Sequence, residues 1–137
     1  MIRFEGAYHG GTGTTLGVSD VERHGLPRPL TDAGHPMLPV PRSALDAAMV
    51  GEMAERDPSI CAVMVEPVIG SGGVHAFPHD FLRELREQCT RHGLTLVFDE
   101  VLTGCGRTGH MLVAHAASVL PDAIALGKGL SAGAAAV

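Results

Sequence analysis

The sequence lacks the features that define several large classes of proteins. Its 137 residues include no tryptophan, and its ten basic residues are scattered without a run, at a net charge of −5. This distribution argues against a nucleic-acid partner and against an anionic membrane surface. No apolar stretch is long enough to span a bilayer, and the first residues form no signal-peptide hydrophobic region. We therefore expect neither nucleic acid nor membrane among its partners.

Cysteine is also sparse, and its pattern indicates the compartment. The three cysteines are odd in number and widely spaced: Cys61, Cys89 and Cys105. This pattern argues against a disulfide framework and favours a reducing environment, so we expect a cytoplasmic protein. The histidines predict no metal site, because Pro78 lies between His75 and His79 and opposes a shared helical face.

Two short apolar runs, at residues 94–98 and 123–126, organise the rest of the chain. Each run is followed directly by turn residues, which is typical of buried strands in a parallel sheet with a crossover between them. The first run ends on Asp99 and Glu100, and the second leads to Lys128 between two glycines. Open α/β sheets bind ligands beyond the carboxyl ends of their strands. We therefore expect the acid and the amine to share one edge of the sheet.

This pair of side chains points to a particular cofactor chemistry. A lysine between glycines, which let a ligand approach closely, can form an imine with an aldehyde. A carboxylate at the same edge can keep a pyridine nitrogen protonated, so that the ring acts as an electron sink. Lys128 and Asp99 thus indicate pyridoxal phosphate. The alternative interpretation is a solvated lysine and a helix-capping or turn aspartate.

Apolar periodicity predicts the elements that frame this sheet. Residues 60–65 are a continuous apolar run, typical of a central strand, and residues 78–93 carry a helical stripe that ends at Gly93. This helix returns the chain across the sheet, so that residues 94–98 can run parallel to the first strand. A short helix is predicted over residues 111–119.

The first part of the chain is less regular. Residues 18–41 are rich in proline, glycine and histidine and predict a long surface connection, either a binding loop or lid or a disordered arm. A helix is predicted from Arg42, with Ser43 as its N-cap and Asp57 at its end. Four apolar residues form its predicted buried face: Leu45, Ala48, Met49 and Met53.

Residues 11–17 are rich in glycine and come close to a dinucleotide-binding fingerprint. Their spacing misses that pattern by one residue, and no clear βαβ unit surrounds them. A nucleotide-binding α/β module is therefore the competing class of protein.

Four segments, by their order and spacing, resemble the class III pyridoxal-phosphate aminotransferases. They are FEGAYHGGT at residues 4–12, AVMVEPVIGSGGV at 62–74, LVFDEVLTGCGRTG at 96–109 and PDAIALGKGLSAG at 121–133. The resemblance implies an α/β fold with a mainly parallel sheet and helices on both faces, the aspartate aminotransferase-like large domain of fold type I. We expect residues 1–137 to form that domain incompletely, without the upstream phosphate-binding loop and the C-terminal small domain.

The resemblance also assigns roles to individual residues. Lys128 matches the lysine that holds the cofactor as an imine and then moves the proton, and Asp99 matches the partner of the pyridine nitrogen. Tyr8 matches the aromatic residue that stacks on the cofactor ring, and Val101 the residue packed on the opposite face. Simpler alternatives are a half-buried tyrosine and an ordinary core valine.

The implied reaction moves an amino group from an amine or ω-amino acid to a 2-oxo acid, in a homodimeric enzyme. A truncated, inactive remnant of such an enzyme is the alternative. Two replacements distinguish this sequence within the family: Leu102 stands where glutamine is common, and Ser71 where ornithine- and 4-aminobutyrate-type members carry glutamate. They favour an amine- or β-alanine-type enzyme.

Three further charged residues have open roles. Glu66 and Glu100 belong either to hydrogen-bond networks behind the cofactor or to surface ion pairs. Arg107 either anchors a substrate carboxylate or, as is more usual in Gly-Arg-Thr-Gly turns, ties the loop.

Overall fold

The computed structural model describes residues 1–26 and 34–131, which contain both strands and helices. The strands are β1 (Arg3–Phe4), β2 (Met37–Leu38), β3 (Ala62–Val65), β4 (Val68–Ile69), β5 (His75–Ala76), β6 (Thr95–Asp99) and β7 (Ala123–Ala125). The helices are α1 (Gly13–Val18), α2 (Ala48–Arg56), α3 (His79–Arg91) and α4 (Val113–Ala117). Short 3-10 turns cover Ala44–Ala47 and Lys128–Ser131. None of the helices in these ranges is long and apolar enough to cross a membrane.

A parallel sheet with the strand order β3–β6–β7 contains the apolar runs predicted as strands. Its register places Val63 opposite Leu96. On the far side of β3, the N–H of Ile2 donates to Ala62 at 2.8 Å, and its carbonyl accepts from Met64 at 2.9 Å. β3 therefore has backbone partners on both sides, as predicted for a central strand. Because β6 and β7 are neighbours, the residues that follow them meet at one edge.

Helix α3 closes the core with the apolar stripe predicted from the sequence. Its inward residues are buried: Phe81, Leu82, Leu85 and Cys89. Phe81, Phe4 and Phe77 form a trio of edge-to-face rings with centroids 5.2–5.9 Å apart, a geometry in which ring edges meet ring faces. Gly93 follows the helix with φ of +65°, as its predicted role in the C-terminal stop requires.

The buried face predicted for the helix after Arg42 is partly wrong. Leu45 is 83% exposed and Ala48 is also exposed, whereas Ala47 and Val50 are buried. The helix begins as a 3-10 turn with about 3.0 residues per turn instead of about 3.6, which shifts the phase of the stripe. The predicted end at Asp57 is confirmed.

The surface connection predicted for residues 18–41 is also partly wrong. Val18, Ser19 and Asp20 are buried, and Met37–Leu38 forms β2, which pairs in parallel with β1. A two-residue strand and buried polar side chains leave no periodic signal in a sequence. Residues 27–33 of the predicted connection lie outside the described residues. A smaller difference is the extent of α4, which is shorter than the helix predicted over residues 111–119.

The aromatic trio gives a test of this packing. We expect Phe81→Ala to lower the free energy of unfolding by about 3–5 kcal/mol, because it leaves a cavity beside Phe4 and Phe77. Leu45→Ala removes an exposed side chain and should change it by no more than about 0.5 kcal/mol. Urea unfolding measures both variants, and equal losses would contradict the assigned core.

Candidate active site

The structure brings four predicted residues to one cleft of about 200 Å³: Tyr8, Asp99, Val101 and Lys128. Asp99 is the last residue of β6, Val101 follows it, and Lys128 follows the neighbouring strand β7. Tyr8 lies in the loop after β1 and is 37% exposed. The acid and the amine therefore lie at a common edge of the sheet. Leu102 and Ser71, the two replacements noted above, also line this cleft.

The carboxylate of Asp99 has two partners in the protein. Its Oδ2 lies 2.8 Å from Nδ1 of His9, and its Oδ1 accepts a hydrogen bond from the N–H of Val101 at 3.1 Å. A carboxylate only accepts in such a contact, so Nδ1 of His9 carries a proton. These two contacts fix the orientation of a carboxylate that is only 7% exposed.

His9 is a residue of this site that the sequence reasoning missed. Its side chain is fully buried, and within the described part of the chain its Nε2 has no hydrogen-bond partner. It also lines the cleft. The contact joins residues 90 positions apart, so no local pattern reveals it. The available signal was its position directly after Tyr8 in a segment already selected as a motif.

Glu66 fastens the loop that carries Tyr8. Its Oε1 accepts from the N–H of Tyr8 at 2.6 Å, and its Oε2 accepts from the N–H of Gly70 at 3.3 Å. Burial raises the pKa of Glu66 above its usual range; the two N–H donors and His9 oppose this shift, and the negative Asp99 adds to it. The network interpretation is therefore confirmed for Glu66, and the surface ion pair is wrong.

Glu100 has a structural role directly after β6. It is fully buried and accepts from the hydroxyl of Thr103 at 3.0 Å and from the N–H groups of Val113 and Ala114 at 2.7 and 2.9 Å. Its two oxygens thus satisfy the first N–H groups of α4, which have no partner within the helix. Glu100 holds α4 to the end of β6, and the surface ion pair is wrong for this residue too.

Lys128 occupies an unusual backbone conformation. Its φ is +40°, in the left-handed region that costs about 1–3 kcal/mol for a residue other than glycine. Its side chain is exposed at the cleft. A Cβ at the preceding Gly127 would lie 3.2 Å from Cγ1 of Val101, so glycine there lets the lysine turn approach the cleft wall. The sequence indicated that the flanking glycines allow a close approach, but it did not predict the left-handed conformation of the lysine.

Arg107 borders a second cleft of about 290 Å³, together with Cys105, Leu102 and Lys128. Its side chain is exposed and, among the described residues, makes no hydrogen bond or ion pair. The interpretation that it ties its loop therefore has no support.

The rest of the described surface has a larger cleft, which lies apart from the predicted site residues. A larger cleft of about 590 Å³, lined among others by Pro39, Arg42, Asp46 and Val74, contains none of the predicted residues. Over residues 1–26 and 34–131, no group of three metal-binding side chains is positioned to hold an ion.

The fold is shared with solved transaminases. The crystal structure of a transaminase from the marine bacterium Virgibacillus matches with a TM-score of 0.82 at 32% sequence identity, over 96% of this chain and 31% of that one. The ω-transaminase of Pseudomonas jessenii, in complex with PMP, gives a TM-score of 0.85 at 24% identity, over 96% of this chain and 32% of that one. The chain therefore has, in incomplete form, the fold-type-I architecture of pyridoxal-phosphate-dependent transaminases.

Sequence comparison then identifies the family. The model of the class III aminotransferases matches residues 1–137. Acetylornithine aminotransferase from Brucella melitensis is 37% identical over 134 residues, which are 97% of this chain and 32% of that protein. The chain belongs to the class III aminotransferase family, and this membership indicates pyridoxal phosphate as its cofactor. It spans about a third of the length of the curated relatives that it matches.

The raised pKa of Glu66 gives a test of this network. A carboxyl group whose pKa is higher in the folded state than in the unfolded state stabilises the fold at low pH. This contribution to the free energy of unfolding is lost as the pH rises above the ordinary glutamate pKa of 4.5. The glutamine in Glu66→Gln cannot ionise, so this variant should not lose that contribution. We therefore expect its free energy of unfolding, relative to that of the wild type, to increase as the pH rises. Urea unfolding from about pH 4 to about pH 8 measures the difference. A stability difference that is constant with pH would contradict it.

Proposed function

We propose that the protein is an aminotransferase that moves an amino group from an amine or ω-amino acid to a 2-oxo acid, and that residues 1–137 form part of its cofactor-binding large domain. The observation that carries the proposal is the cleft in which Asp99 and Lys128, from neighbouring strands, lie together with Tyr8 and Val101. Membership of the class III family supports the same reaction class.

The donor set of the cleft fits pyridoxal phosphate. Asp99, oriented by His9 and a backbone N–H, would bind the ring nitrogen. Tyr8 and Val101 would border the faces of the ring, and Lys128 would bind the aldehyde end. When bound, the cofactor supplies an aldehyde for the amino group and a ring that withdraws electrons.

The residues of this chain then position and move protons. Asp99 would keep a proton on the ring nitrogen of the bound cofactor, because a buried carboxylate is more stable beside a cation. Lys128 has no hydrogen bond or ion pair from its side chain to any described residue, so its amine is free to take and return the substrate proton as a general base and acid. The exposed edge of the cleft admits the substrate.

The donor is proposed to be an amine or ω-amino acid. Leu102 and Ser71 line the cleft and add no carboxylate to those of Asp99 and Glu66. The relative from Brucella melitensis is named for acetylornithine, whose free side-chain amine is itself an ω-amino group. We further propose that the whole protein is a cytoplasmic homodimer.

Two alternatives are weaker. The nucleotide-binding module has little support, because residues 11–17 do not line the cleft and α1 does not follow directly on a strand. An inactive remnant would bind the cofactor without turnover, so the two measurements below separate it from an enzyme.

The proposal is tested first at Lys128, which is the one lysine in the sequence. Incubation with pyridoxal phosphate and reduction with borohydride should attach the cofactor to this residue, as mass spectrometry of peptides measures. We expect Lys128→Arg, which keeps the charge but is a poor nucleophile at neutral pH, to lose the label completely. The N-terminal amine is an internal control for nonspecific labelling. A label of equal yield in the variant would contradict the assignment.

A second test addresses Asp99. We expect Asp99→Asn to lower the rate of amino transfer by about 100-fold or more, because a neutral amide no longer stabilises the ring cation. Borohydride labelling of Lys128 should persist, since the lysine is unchanged. Glu52→Gln alters a carboxylate that is exposed on α2 and serves as the matched control. Equal rates in the wild type and Asp99→Asn, measured with an amine donor and pyruvate, would contradict the role.

A further inference from the structure

A short segment at residues 19–25 fastens the main chain on both sides of the tyrosine in the cleft. The carboxylate of Asp20 accepts from the N–H of Gly6 at 2.8 Å, and the hydroxyl of Ser19 accepts from the N–H of His9 at 2.9 Å. Both side chains are almost completely buried. The segment was predicted as part of a surface connection, but these bonds make it a support of the loop after β1.

His24, in the same segment, contacts the side chain of Tyr8 directly. The two ring centroids lie 5.4 Å apart with an interplanar angle of 70°, so the rings meet edge to face. Nε2 of His24 lies 3.2 Å from the carbonyl of Gly6, which can only accept, so this nitrogen donates. His24 is thereby attached to the loop that carries Tyr8. It does not itself line the cleft.

Arg23 fixes the segment from its other side. Its guanidinium group donates to the carbonyl of Gly72 at 2.7 Å, in the turn between β4 and β5. A Cβ at Gly72 would meet the backbone of Gly6, so the two loops are in close contact. The 19–25 segment is therefore held between the tyrosine loop and the hairpin, and His24 cannot move away from Tyr8 independently.

The main-chain bonds leave the side-chain torsions of Tyr8 undetermined. A tyrosine that is 37% exposed has several staggered rotamers available unless a neighbour excludes them. We propose that His24 is a positioning residue for Tyr8: its ring restricts Tyr8 to the orientation that borders the cofactor cleft. The effect of this role on catalysis rests on the proposed function. The contact between His24 and Tyr8 itself is present without cofactor.

The test uses a property of the sequence, which contains one tyrosine and no tryptophan. Near-ultraviolet circular dichroism and tyrosine fluorescence anisotropy therefore report on Tyr8 alone among the tyrosines. In the protein without cofactor, we expect His24→Leu to lose most of the tyrosine dichroism and to lower the anisotropy. His24→Phe keeps a ring edge and should retain most of both signals. His115→Leu changes an exposed histidine on α4 and should alter neither.

Cofactor binding gives the second measurement. We expect His24→Leu to bind pyridoxal phosphate about two- to tenfold more weakly, and His24→Phe to recover most of the affinity. In a Tyr8→Leu background, His24→Leu should have no further effect, since the two residues act as a pair. Additive losses would overturn the proposal.

Other outcomes are also decisive. An unchanged tyrosine signal in His24→Leu would overturn the positioning role, as would equal losses in His24→Leu and His24→Phe. If His24→Leu does not fold, the tyrosine signals of His24→Phe are compared with those of the wild type. A large loss of signal in His24→Phe would then overturn the positioning role. If the wild type does not take up the cofactor on Lys128, the proposed function fails, whereas the tyrosine signals still decide the role of His24.

Discussion

The candidate site depends on the parallel pairing of β6 with β7. That pairing places Asp99 opposite Ala125, three residues before Lys128, so two groups that are distant in sequence follow adjacent strands at the same edge. Ile2 and β3 complete the sheet on the other side and bury β6 between paired neighbours. Without this register, the acid and the amine would not share a cleft. Tyr8 and His9 would then no longer lie beside both groups.

Three buried carboxylates at this edge have different functions because they meet different donors. The carboxylate oxygens of Glu66 and Glu100 accept hydrogen bonds from backbone N–H groups. Glu66 thereby holds the tyrosine loop, and Glu100 holds the start of α4. Asp99 instead combines one backbone N–H with a histidine, and both Asp99 and Glu66 border the cleft. Residue type and proximity to the cleft do not by themselves separate these carboxylates; the kind of donor that each one meets does.

The parts of this fold that could be predicted from the sequence are those with a local pattern. Apolar runs located the three strands of the β3–β6–β7 sheet, and the stripe of α3 located its buried face, because burial repeats at the period of the element. The phase of the helix after Arg42 was lost through one 3-10 turn. The contact of His9 with Asp99 and the partners of Glu100 depend on tertiary structure and leave no periodic trace. Family motifs selected the residues of the cleft, yet not the network that orients them.

The close approach of Gly127 to Val101 couples two properties of the cleft. A Cβ at position 127 would already press on a methyl group of the valine, so there is no spare volume between the cleft wall and the lysine turn. A larger side chain at 101 would have to displace that turn, and with it the amine. Substitutions that are meant to change the width of the cleft should therefore vary positions 101 and 127 together, because the cleft wall and the turn that carries the Lys128 amine are in contact.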